Sequence, residues 1–360
     1  LPDWVNDRRY EITERRTPAQ VRRCLKDWMV KSTRDTQKQY FNRPLTWNKT
    51  AEPRRTLNVY PYGPEETIAY SNYFFPGRYS VLKRLLDDVK TMLPDFAPNR
   101  IIDFGCGPAT GAAVAVDVFG REAVHKYAGV DMSQSMQDAA QIMTKKLGVD
   151  CHFWTKTSDL IKRALNDDYE RFDLAICSYT LTELANDPSR RAAVQILFEL
   201  LDCGGVVVFV EKGNPEGSFA VRTARQLLLN LNDPKTDVRT LAPCTHDKPC
   251  PLAGHYYCSF SQKVFASMIH KDQAEKFSYA IMQKRKRTVA PRGEGAASRG
   301  CIRRDIRMTM MTTRHIIMDL CMPTGDIVRS TFSRANIQPV PQLYKTLRKT
   351  SWGGLFPVGA

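Results

Sequence analysis

Residues 101–111 read Ile-Ile-Asp-Phe-Gly-Cys-Gly-Pro-Ala-Thr-Gly. An apolar strand is expected to end near Asp103, a turn follows with Gly105 and Gly107, and a helix should begin near Ala109. Glycines permit a tight turn and let backbone amides approach a ligand closely. The N-terminus of the following helix adds a partial positive charge. The stretch therefore predicts the ligand-binding turn of an α/β domain.

The spacing of the glycines indicates which ligand this turn would bind. A dinucleotide-binding turn has the pattern G-x-G-x-x-G, whereas here the third glycine comes one residue later, at Gly111, and Ala109 stands where many methyltransferases have glycine. An acid two residues before the first glycine is typical of S-adenosylmethionine sites. In such a site Asp103 would lie near the cationic amino acid portion of the ligand.

Asp131 supports the same interpretation. It ends a second predicted strand, Tyr127–Asp131, and follows Gly111 by 20 residues. An acid in this position can accept hydrogen bonds from ribose hydroxyls. The alternative is a tight turn with an ordinary capping aspartate. Taken with the glycines and Asp103, Asp131 predicts a cofactor site, whose binding residues would be Asp103, Gly105, Gly107 and Asp131.

The chain on either side of this stretch alternates between strand-like and helix-like segments. Such alternation predicts βαβ units and a parallel sheet, which is a Rossmann-like α/β fold. We expect a helix at Phe219–Asn230 and two later strands at Lys276–Gln283 and Arg314–Leu320. The core strands are predicted at Arg100–Phe104, Tyr127–Asp131, Asp150–Trp154, Phe172–Ser178 and Gly205–Glu211.

The end of the fourth strand identifies no catalytic residue. It reads Cys177-Ser-Tyr-Thr-Leu-Thr-Glu183 and lacks the Asn/Asp-Pro-Pro-Tyr motif of enzymes that methylate base amines. Cys177 lies in an apolar strand and is interpreted as a buried structural cysteine. Tyr179 and Glu183 could line a substrate pocket, although a helix cap or an ion pair explains Glu183 equally well.

Residues 244–258 are rich in metal-binding side chains. They contain Cys244, Cys250 and Cys258 in the spacing Cys-x5-Cys-x7-Cys, which suits either zinc or an iron–sulfur cluster. A closed site needs a fourth ligand, and Cys301, His246 and His255 are all candidates. We favour Cys321, because it ends an apolar strand and would be held rigidly. The alternative is three unrelated cysteines.

Composition limits the possible partners and compartments. The chain has 360 residues and a formal net charge of +15, which favours an acidic partner, either nucleic acid or an anionic lipid surface. No apolar stretch is long enough to span a membrane. Ten cysteines in a chain of this length indicate a reducing compartment rather than a disulfide framework. The first residue is Leu1 rather than Met, as a cleaved transit peptide would leave it.

These patterns divide the chain into five predicted parts. Residues 1–64 form a basic arm with a helix from Thr17 to about Lys31, and residues 65–98 form a helical lead-in. Residues 99–240 form the cofactor-binding core, and residues 241–262 are the cysteine-rich insertion. Residues 263–360 are expected to complete the sheet and to carry a basic loop at 284–304 and an RNA-contacting tail near Tyr344–Arg348.

The chain resembles the methyltransferase-like assembly factors of the mitochondrial small ribosomal subunit, a family with bacterial relatives. The resemblance runs from about residue 66 to residue 354 and is carried by short blocks. Those blocks are Pro-Gly-Arg-Tyr79, Asp103-Phe-Gly-Cys-Gly-Pro, Ser178-Tyr-Thr-Leu-Thr-Glu-Leu184, Val210-Glu-Lys-Gly-Asn-Pro-Glu-Gly217 with Arg225, Cys250-Pro, Tyr257-Cys-Ser-Phe-Ser-Gln262, Glu275-Lys-Phe-Ser-Tyr279, Asp319-Leu-Cys-Met-Pro-Thr-Gly325 and Trp352-Gly.

The resemblance implies a seven-stranded methyltransferase sheet and a protein of the mitochondrial matrix. It implies a [4Fe–4S] cluster on Cys244, Cys250, Cys258 and Cys321. The implied partners are small-subunit ribosomal RNA, mitoribosomal small-subunit proteins and other assembly factors. Two functions stay open, an assembly factor without methyl transfer and an active S-adenosylmethionine-dependent rRNA methyltransferase. The basic charge argues against a third, a small-molecule methyltransferase with a zinc-stabilised lid.

Overall fold

The computed structural model describes residues 1–13, 16–17, 19–24, 62–164, 171–231, 233–252, 257–264, 273–287, 302–305, 310–311, 315–334, 344–345, 347–348 and 355–357. The chain divides into two compact units. The first comprises Leu1–Leu200 and Gln262–Glu275, and the second comprises Leu201–Ser261 and Lys276–Ala360. None of the helices in these described ranges is long and apolar enough to cross a membrane.

The first unit contains a four-stranded parallel sheet with the order β3-β2-β1-β4. Its strands are β1 (Arg100–Phe104), β2 (Lys126–Val130), β3 (Asp150–Trp154) and β4 (Phe172–Ser178). Its helices are α1 (Asp3–Ile12), α2 (Pro64–Tyr73), α3 (Phe75–Met92), α4 (Thr110–Phe119), α5 (Gln134–Thr144), α6 (Thr157–Ala164) and α7 (Asp187–Leu200). Helices alternate with parallel strands, so the predicted Rossmann-like α/β class is confirmed.

The helical lead-in consists of two helices. The chain leaves α2 at Tyr73 and enters α3 at Phe75, and Pro76 occupies the first turn of α3, where a missing backbone N–H is tolerated. The apolar stripe of α3 is buried, with Val81, Leu85 and their neighbours at most 1% exposed. That stripe therefore covers the core of the first unit, as its helical spacing predicts.

The start of the chain differs from the predicted extended arm. Helix α1 buries Val5, Arg9 and Ile12. The Arg9 guanidinium donates to the backbone oxygens of Ser71 at 2.9 Å and Asn72 at 3.2 Å. Carbonyls in the last turn of a helix lack intrahelical partners, so Arg9 acts as a cap for α2 and is not available to phosphates. Residues 25–61 all lie outside the described residues.

The second unit contains β5 (Leu201–Lys212), α8 (Pro215–Leu229) and β6 (Thr236–Ala242). Strand β8 (Gln273–Lys286) pairs antiparallel with both β5 and β6, and β7 (Phe260–Val264) pairs with β8. The run Val206–Val210 is fully buried, which is typical of a strand covered on both faces. Strands β6 and β7 were not predicted, because their apolar residues are few.

Residues after 300 form a separate five-stranded sheet rather than completing the first one. Its strands are β9 (Ile302–Asp305), β10 (Met310–Met311), β11 (His315–Cys321), β12 (Ile327–Ser333) and β13 (Leu355–Pro357). The order is β10-β11-β9-β13, with β12 paired to β11. Strand β11 buries alternate residues Ile316, Met318 and Leu320. Asp319 and Cys321 on the opposite face are buried as well, so the C-terminal half of β11 is covered on both faces.

The predicted RNA-contacting tail is only half exposed. Tyr344 and Leu347 are buried and pack against the apolar face of β11. Lys345 and Arg348 are exposed. The tail therefore docks by its apolar residues and presents its basic ones, and contact between this segment and RNA stays a prediction.

Candidate cofactor cleft and cysteine cavity

The turn after β1 needs glycine for two reasons. Gly105 and Gly107 have φ values of 72° and 51°, in the left-handed region that favours glycine. A Cβ on Gly105 would also lie 2.0 Å from the hydroxyl oxygen of Thr180, a distance no side chain can adopt. Ala109 occupies the left-handed region as well, at φ 56°. This alanine carries the local strain that the usual glycine would avoid.

Asp103 is buried at the end of β1. Its Oδ2 accepts a 2.7 Å hydrogen bond from the hydroxyl of Tyr127, and its Oδ1 has no hydrogen-bond partner among the described residues. Burial raises the pKa of Asp103 to about 7. A cationic group beside this carboxyl would favour its ionised form. Asp103 therefore has the environment expected of a residue that faces the amino group of a ligand.

Asp131 follows β2 and is joined directly to the glycine turn. Its Oδ2 accepts from the Gly107 N–H and its Oδ1 accepts from the Ser133 N–H, each at 2.9 Å. Burial raises the pKa of Asp131, and the two backbone donors act in the opposite direction. Each carboxylate oxygen keeps a second lone pair, which a ribose hydroxyl could use. The structure thus brings together all four residues predicted to bind the cofactor.

Tyr62 links the regions that follow β2 and β4. Its backbone oxygen accepts a 2.6 Å bond from the Ser133 hydroxyl, and its own hydroxyl donates to Glu183 at 3.1 Å. The Tyr62 ring meets the Tyr70 ring edge to face at 5.9 Å. Glu183 is therefore held in place by Tyr62.

Tyr179 is packed away rather than lining an open pocket. The guanidinium carbon of Arg78 lies 3.3 Å from the centre of its ring, and Arg78 also forms an ion pair with Glu275. Tyr179 is 6% exposed, so the expectation that it lines a substrate pocket is not supported. Cys177 is fully buried, which confirms the structural role predicted for it.

The four cysteines predicted as ligands all line one cavity of the second unit. Cys244 follows β6, Cys258 precedes β7, and Cys321 is the last residue of β11, while Cys250 lies in the loop between. The cavity has a volume of about 40 Å³ and is partly open to solvent. No disulfide joins any of the cysteines that the structure describes. Cys301 and His255 lie outside the described residues.

Two hydroxyl groups fix the backbone of Cys258. Its N–H donates to the Ser218 hydroxyl at 3.2 Å, and its carbonyl accepts a 2.6 Å bond from the Ser278 hydroxyl. Cys258 is therefore held between α8 and β8.

Arg225 holds the loop that carries Cys244 and Cys250. Its buried guanidinium donates to the hydroxyl of Thr240 and to the Lys248 carbonyl, each at 3.1 Å, and also to the His246 carbonyl. The side chain is 2% exposed. The loop is thus anchored to α8 and β6 by one charged side chain that satisfies two of its carbonyls.

His246 is buried in the same cavity. Its Nδ1 lies 3.1 Å from the Lys248 carbonyl oxygen, and its Nε2 lies 3.5 Å from the Cys321 sulfur. Burial, followed by the charge of Arg225, lowers the pKa of His246, so the imidazole is neutral at physiological pH.

The side chains are not arranged around a single ion. Among the residues that the structure describes, no group of three or more His, Cys, Asp or Glu side chains could hold one metal ion. Tetrahedral zinc requires sulfur atoms about 3.8 Å apart, since each Zn–S bond is about 2.3 Å.

Several supporting residues carry no signal in the sequence. Tyr127, Ser218 and Ser278 look like ordinary residues of strands and helices, and only the fold brings them to Asp103 and Cys258. Arg225 stands out in the sequence only as part of a family block. A buried arginine that binds carbonyls cannot be distinguished from a surface arginine by its neighbours in the chain.

Residues 64–357 match the family described as mitochondrial small ribosomal subunit Rsm22. The human ribosome assembly protein METTL17, mitochondrial, is 26% identical, over 81% of this chain and 62% of that protein. The Rsm22-cox11 tandem protein 2 of Schizosaccharomyces pombe is 24% identical, over 97% of this chain and 49% of that protein. The chain thus spans about half to six-tenths of the length of these curated relatives.

A solved structure titled a putative RNA methyltransferase, from Pyrococcus horikoshii, has a TM-score of 0.37 and 12% identity, over 57% of this chain and 85% of that one. A similarity this low supports no argument about function. The match to the Rsm22 family covers both the glycine turn and the four cavity cysteines, and most of the chain between Gly63 and the C-terminus. The chain belongs to the mitochondrial small ribosomal subunit Rsm22 family.

Proposed function

We propose that this protein is an assembly factor of the mitochondrial small ribosomal subunit, that it works in the mitochondrial matrix and that it binds small-subunit ribosomal RNA. The observation that carries the proposal is the family match over residues 64–357. The human and budding-yeast relatives are both named mitochondrial ribosome assembly proteins. Mitoribosomal small-subunit proteins and other assembly factors are the further partners that we propose.

Charge supports RNA as the main partner. The chain carries a formal net charge of +15, and Lys345 and Arg348 are exposed beside the docked residues Tyr344 and Leu347. Contacts between such side chains and phosphates supply affinity that falls steeply with salt. The proposal therefore requires tight binding of small-subunit rRNA at low salt and a marked loss at high salt.

We propose further that Cys244, Cys250, Cys258 and Cys321 hold a [4Fe–4S] cluster. Support comes from their lining one cavity, with no disulfide among the cysteines that the structure describes. A four-iron cluster takes four cysteine thiolates. Its contribution would be structural, because it would join the loop after β6, the start of β7 and the end of β11.

We assign the cleft of the first unit to S-adenosylmethionine, with Asp103 facing its amino group and Asp131 its ribose. The unpartnered Oδ1 of Asp103 and the raised pKa support this assignment, since an ammonium group would pair with that carboxylate. The cofactor would supply the methyl group if any transfer occurs. Gly105 and Gly107 would let the ligand approach the backbone.

The test of the main proposal is complementation of cells that lack the protein. Wild type should restore small subunits in a sucrose gradient, and Cys258→Ser should fail, whereas Cys203→Ser should restore them because Cys203 is exposed. Small-subunit assembly that is normal without the protein would refute the proposal. Anaerobic purification followed by iron, sulfide and zinc analysis tests the cluster, and one zinc per chain without iron would overturn it.

An active rRNA methyltransferase is the second candidate, favoured by the intact contact between Asp131 and Gly107. The hydrogen bond from Tyr62 to Glu183 argues against methyl transfer, because it engages the Glu183 carboxylate next to the expected position of the acceptor. Asp131→Ala should then abolish methylation of one small-subunit rRNA position. An unchanged RNA modification profile in cells that depend on Asp131→Ala would exclude this function.

A further inference from the structure

Tyr70, in α2, lies beside the glycine turn of the proposed cofactor cleft. A Cβ on Gly107 would lie 4.0 Å from the Cε1 atom of Tyr70, which is an ordinary contact distance. Tyr70 is half-buried, although Ala69 and Ser71 on either side of it are fully buried. None of the contacts assigned above to the cofactor involves α2. The ring of Tyr70 is therefore an additional part of the wall of this cleft.

Two neighbouring rings hold Tyr70 in this place. The Tyr62 ring meets it edge to face at 5.9 Å, and the Phe74 ring, one helical turn later, lies 5.8 Å away. Tyr62 is itself fixed, since its backbone oxygen accepts from Ser133 and its hydroxyl donates to Glu183. Ser133 follows β2 and Glu183 follows β4, whereas the glycine turn follows β1, which lies between those strands. Tyr62 therefore spans the turn and keeps Tyr70 next to it.

The charges around Tyr70 favour a cation beside it. Burial raises the pKa of Tyr70 to about 12, so the hydroxyl keeps its proton and the ring stays neutral. The charge of Arg78 lowers this pKa, while the charges of Glu183 and Asp131 raise it, so all three groups lie near the hydroxyl. The charge of Arg78 is offset by its ion pair with Glu275. The two remaining carboxylates give the surroundings of the ring a net negative charge.

The proposed ligand carries a positive charge at the matching place. In S-adenosylmethionine the sulfonium centre joins the amino acid portion to the ribose. With Asp103 facing the amino group and Asp131 the ribose, the sulfonium would lie between these two residues, over the turn that Tyr70 flanks. The π-system of an aromatic ring attracts a cation within about 6 Å. S-adenosylhomocysteine has the same two portions but no charge at its sulfur.

We propose that Tyr70 is a ligand-contacting residue of the cofactor cleft, and that its ring distinguishes the sulfonium cation of S-adenosylmethionine from the uncharged thioether of S-adenosylhomocysteine. The inference rests on the proposed assignment of the cleft to this cofactor. A protein that binds the methyl donor without transferring the methyl group would in this way recognise the charged form alone. Tyr70 would thus determine which of the two related compounds occupies the cleft.

Calorimetry on the full chain tests this inference, with S-adenosylmethionine, S-adenosylhomocysteine and sinefungin as ligands. Sinefungin has an ammonium-bearing carbon in place of the methylated sulfur, so it separates the effect of charge from that of the methyl contact. The variants are Tyr70→Phe, which keeps the ring, and Tyr70→Leu, which removes it. Tyr10→Leu is the matched control, because Tyr10 is 55% exposed on α1.

Wild type should bind both cationic ligands roughly tenfold tighter than S-adenosylhomocysteine, an amount that a desolvated cation–π contact can supply. Tyr70→Phe and Tyr10→Leu should keep this ratio. Tyr70→Leu should lower it by about threefold or more while S-adenosylhomocysteine still binds, which also shows that the variant is folded. Equal loss of affinity for all three ligands would make Tyr70 a packing residue and overturn the inference. An unchanged ratio in Tyr70→Leu would overturn it as well.

The outcome for Tyr70 can be separated from that for the cofactor. Equal affinity of wild type for charged and uncharged ligands would overturn the role of Tyr70 and leave the cofactor assignment intact, whereas binding of none of the three ligands would refute both. If Tyr70→Leu does not fold, trifluorophenylalanine at position 70 replaces it, since fluorine withdraws electron density from the π-system and the ring is kept. The ratio should then fall relative to Tyr70→Phe, and an unchanged ratio would overturn the inference.

Discussion

Replacing Arg225 with methionine should destabilise the second unit and lower the amount of iron bound at the four cavity cysteines. Methionine has a similar length but no donors. Arg225 is 2% exposed and makes hydrogen bonds to Thr240, Lys248 and His246. Two of the three acceptors are backbone carbonyls of the loop that carries Cys244 and Cys250, so the substitution removes the anchor of that loop.

The magnitude follows from those contacts. A hydrogen bond to a charged donor contributes about 1.5–3 kcal/mol, and a buried carbonyl left without a partner costs about 1–3 kcal/mol. The effects are not additive, because the loop can move toward water once it is released. We therefore expect the free energy of unfolding to fall by about 3–5 kcal/mol, at the large end of single substitutions.

Urea unfolding followed by circular dichroism measures this loss, and iron content per chain measures its effect on the cavity. Arg225→Lys keeps the charge with fewer directed donors and should lose an intermediate amount. Arg191→Met is the control, because Arg191 is 48% exposed and its pair with Asp187 is a surface pair worth about 0.3–0.5 kcal/mol. An Arg225→Met protein within about 1 kcal/mol of wild type would refute the argument.

Three further outcomes are expected. The folded-state pKa of Asp103 is raised to about 7, above that of an unfolded aspartate, so the folded protein holds an extra proton between about pH 4 and 7. The free energy of unfolding should therefore fall as pH rises through that window. Asp103→Asn should flatten this pH dependence in denaturant titrations at several pH values, and an identical slope would contradict the assignment. Gly105→Ala should abolish S-adenosylmethionine binding measured by calorimetry. The double variant Gly105→Ala/Thr180→Gly should recover stability in part, because it removes every clash with the Thr180 side chain but not the backbone strain at φ 72°. No recovery would contradict a role for the clash. Lys345→Glu combined with Arg348→Glu should weaken binding of a small-subunit rRNA fragment, and should reduce the slope of log affinity against log salt concentration by roughly 2. Lys235→Glu is the control, because Lys235 is another exposed lysine. An unchanged slope would exclude Lys345 and Arg348 from the RNA interface.

The sequence predicted the first unit well because its signals are local. An apolar run, an acid and closely spaced glycines define the end of β1, and the burial pattern of α3 follows its 3.6-residue spacing. Predicted and observed bounds agree for β1, β3 and β4, and β2 begins and ends one residue earlier than predicted. Asp131 consequently follows β2 rather than ending it, which frees its carboxylate to bind the turn.

The later part of the chain was harder to predict because its signals depend on distant residues. The second sheet pairs β9 with both β11 and β13, which lie far apart in sequence. Nothing near Arg9 distinguishes a buried helix cap from a phosphate-binding side chain, and nothing near Tyr344 marks it as part of a core. The cysteines could be grouped from sequence, but their supports, Ser218 and Ser278, could not.

The position of Cys321 has a consequence for the timing of biogenesis. It follows Cys258 by 63 residues and lies at the end of a strand in the second sheet. During synthesis, or during passage of an unfolded chain through a translocation pore from its N-terminus, the other three cysteines emerge well before it. A metal centre bound by all four cysteines could therefore be completed only after residue 321 has emerged, so full coordination would report that β11 has been made.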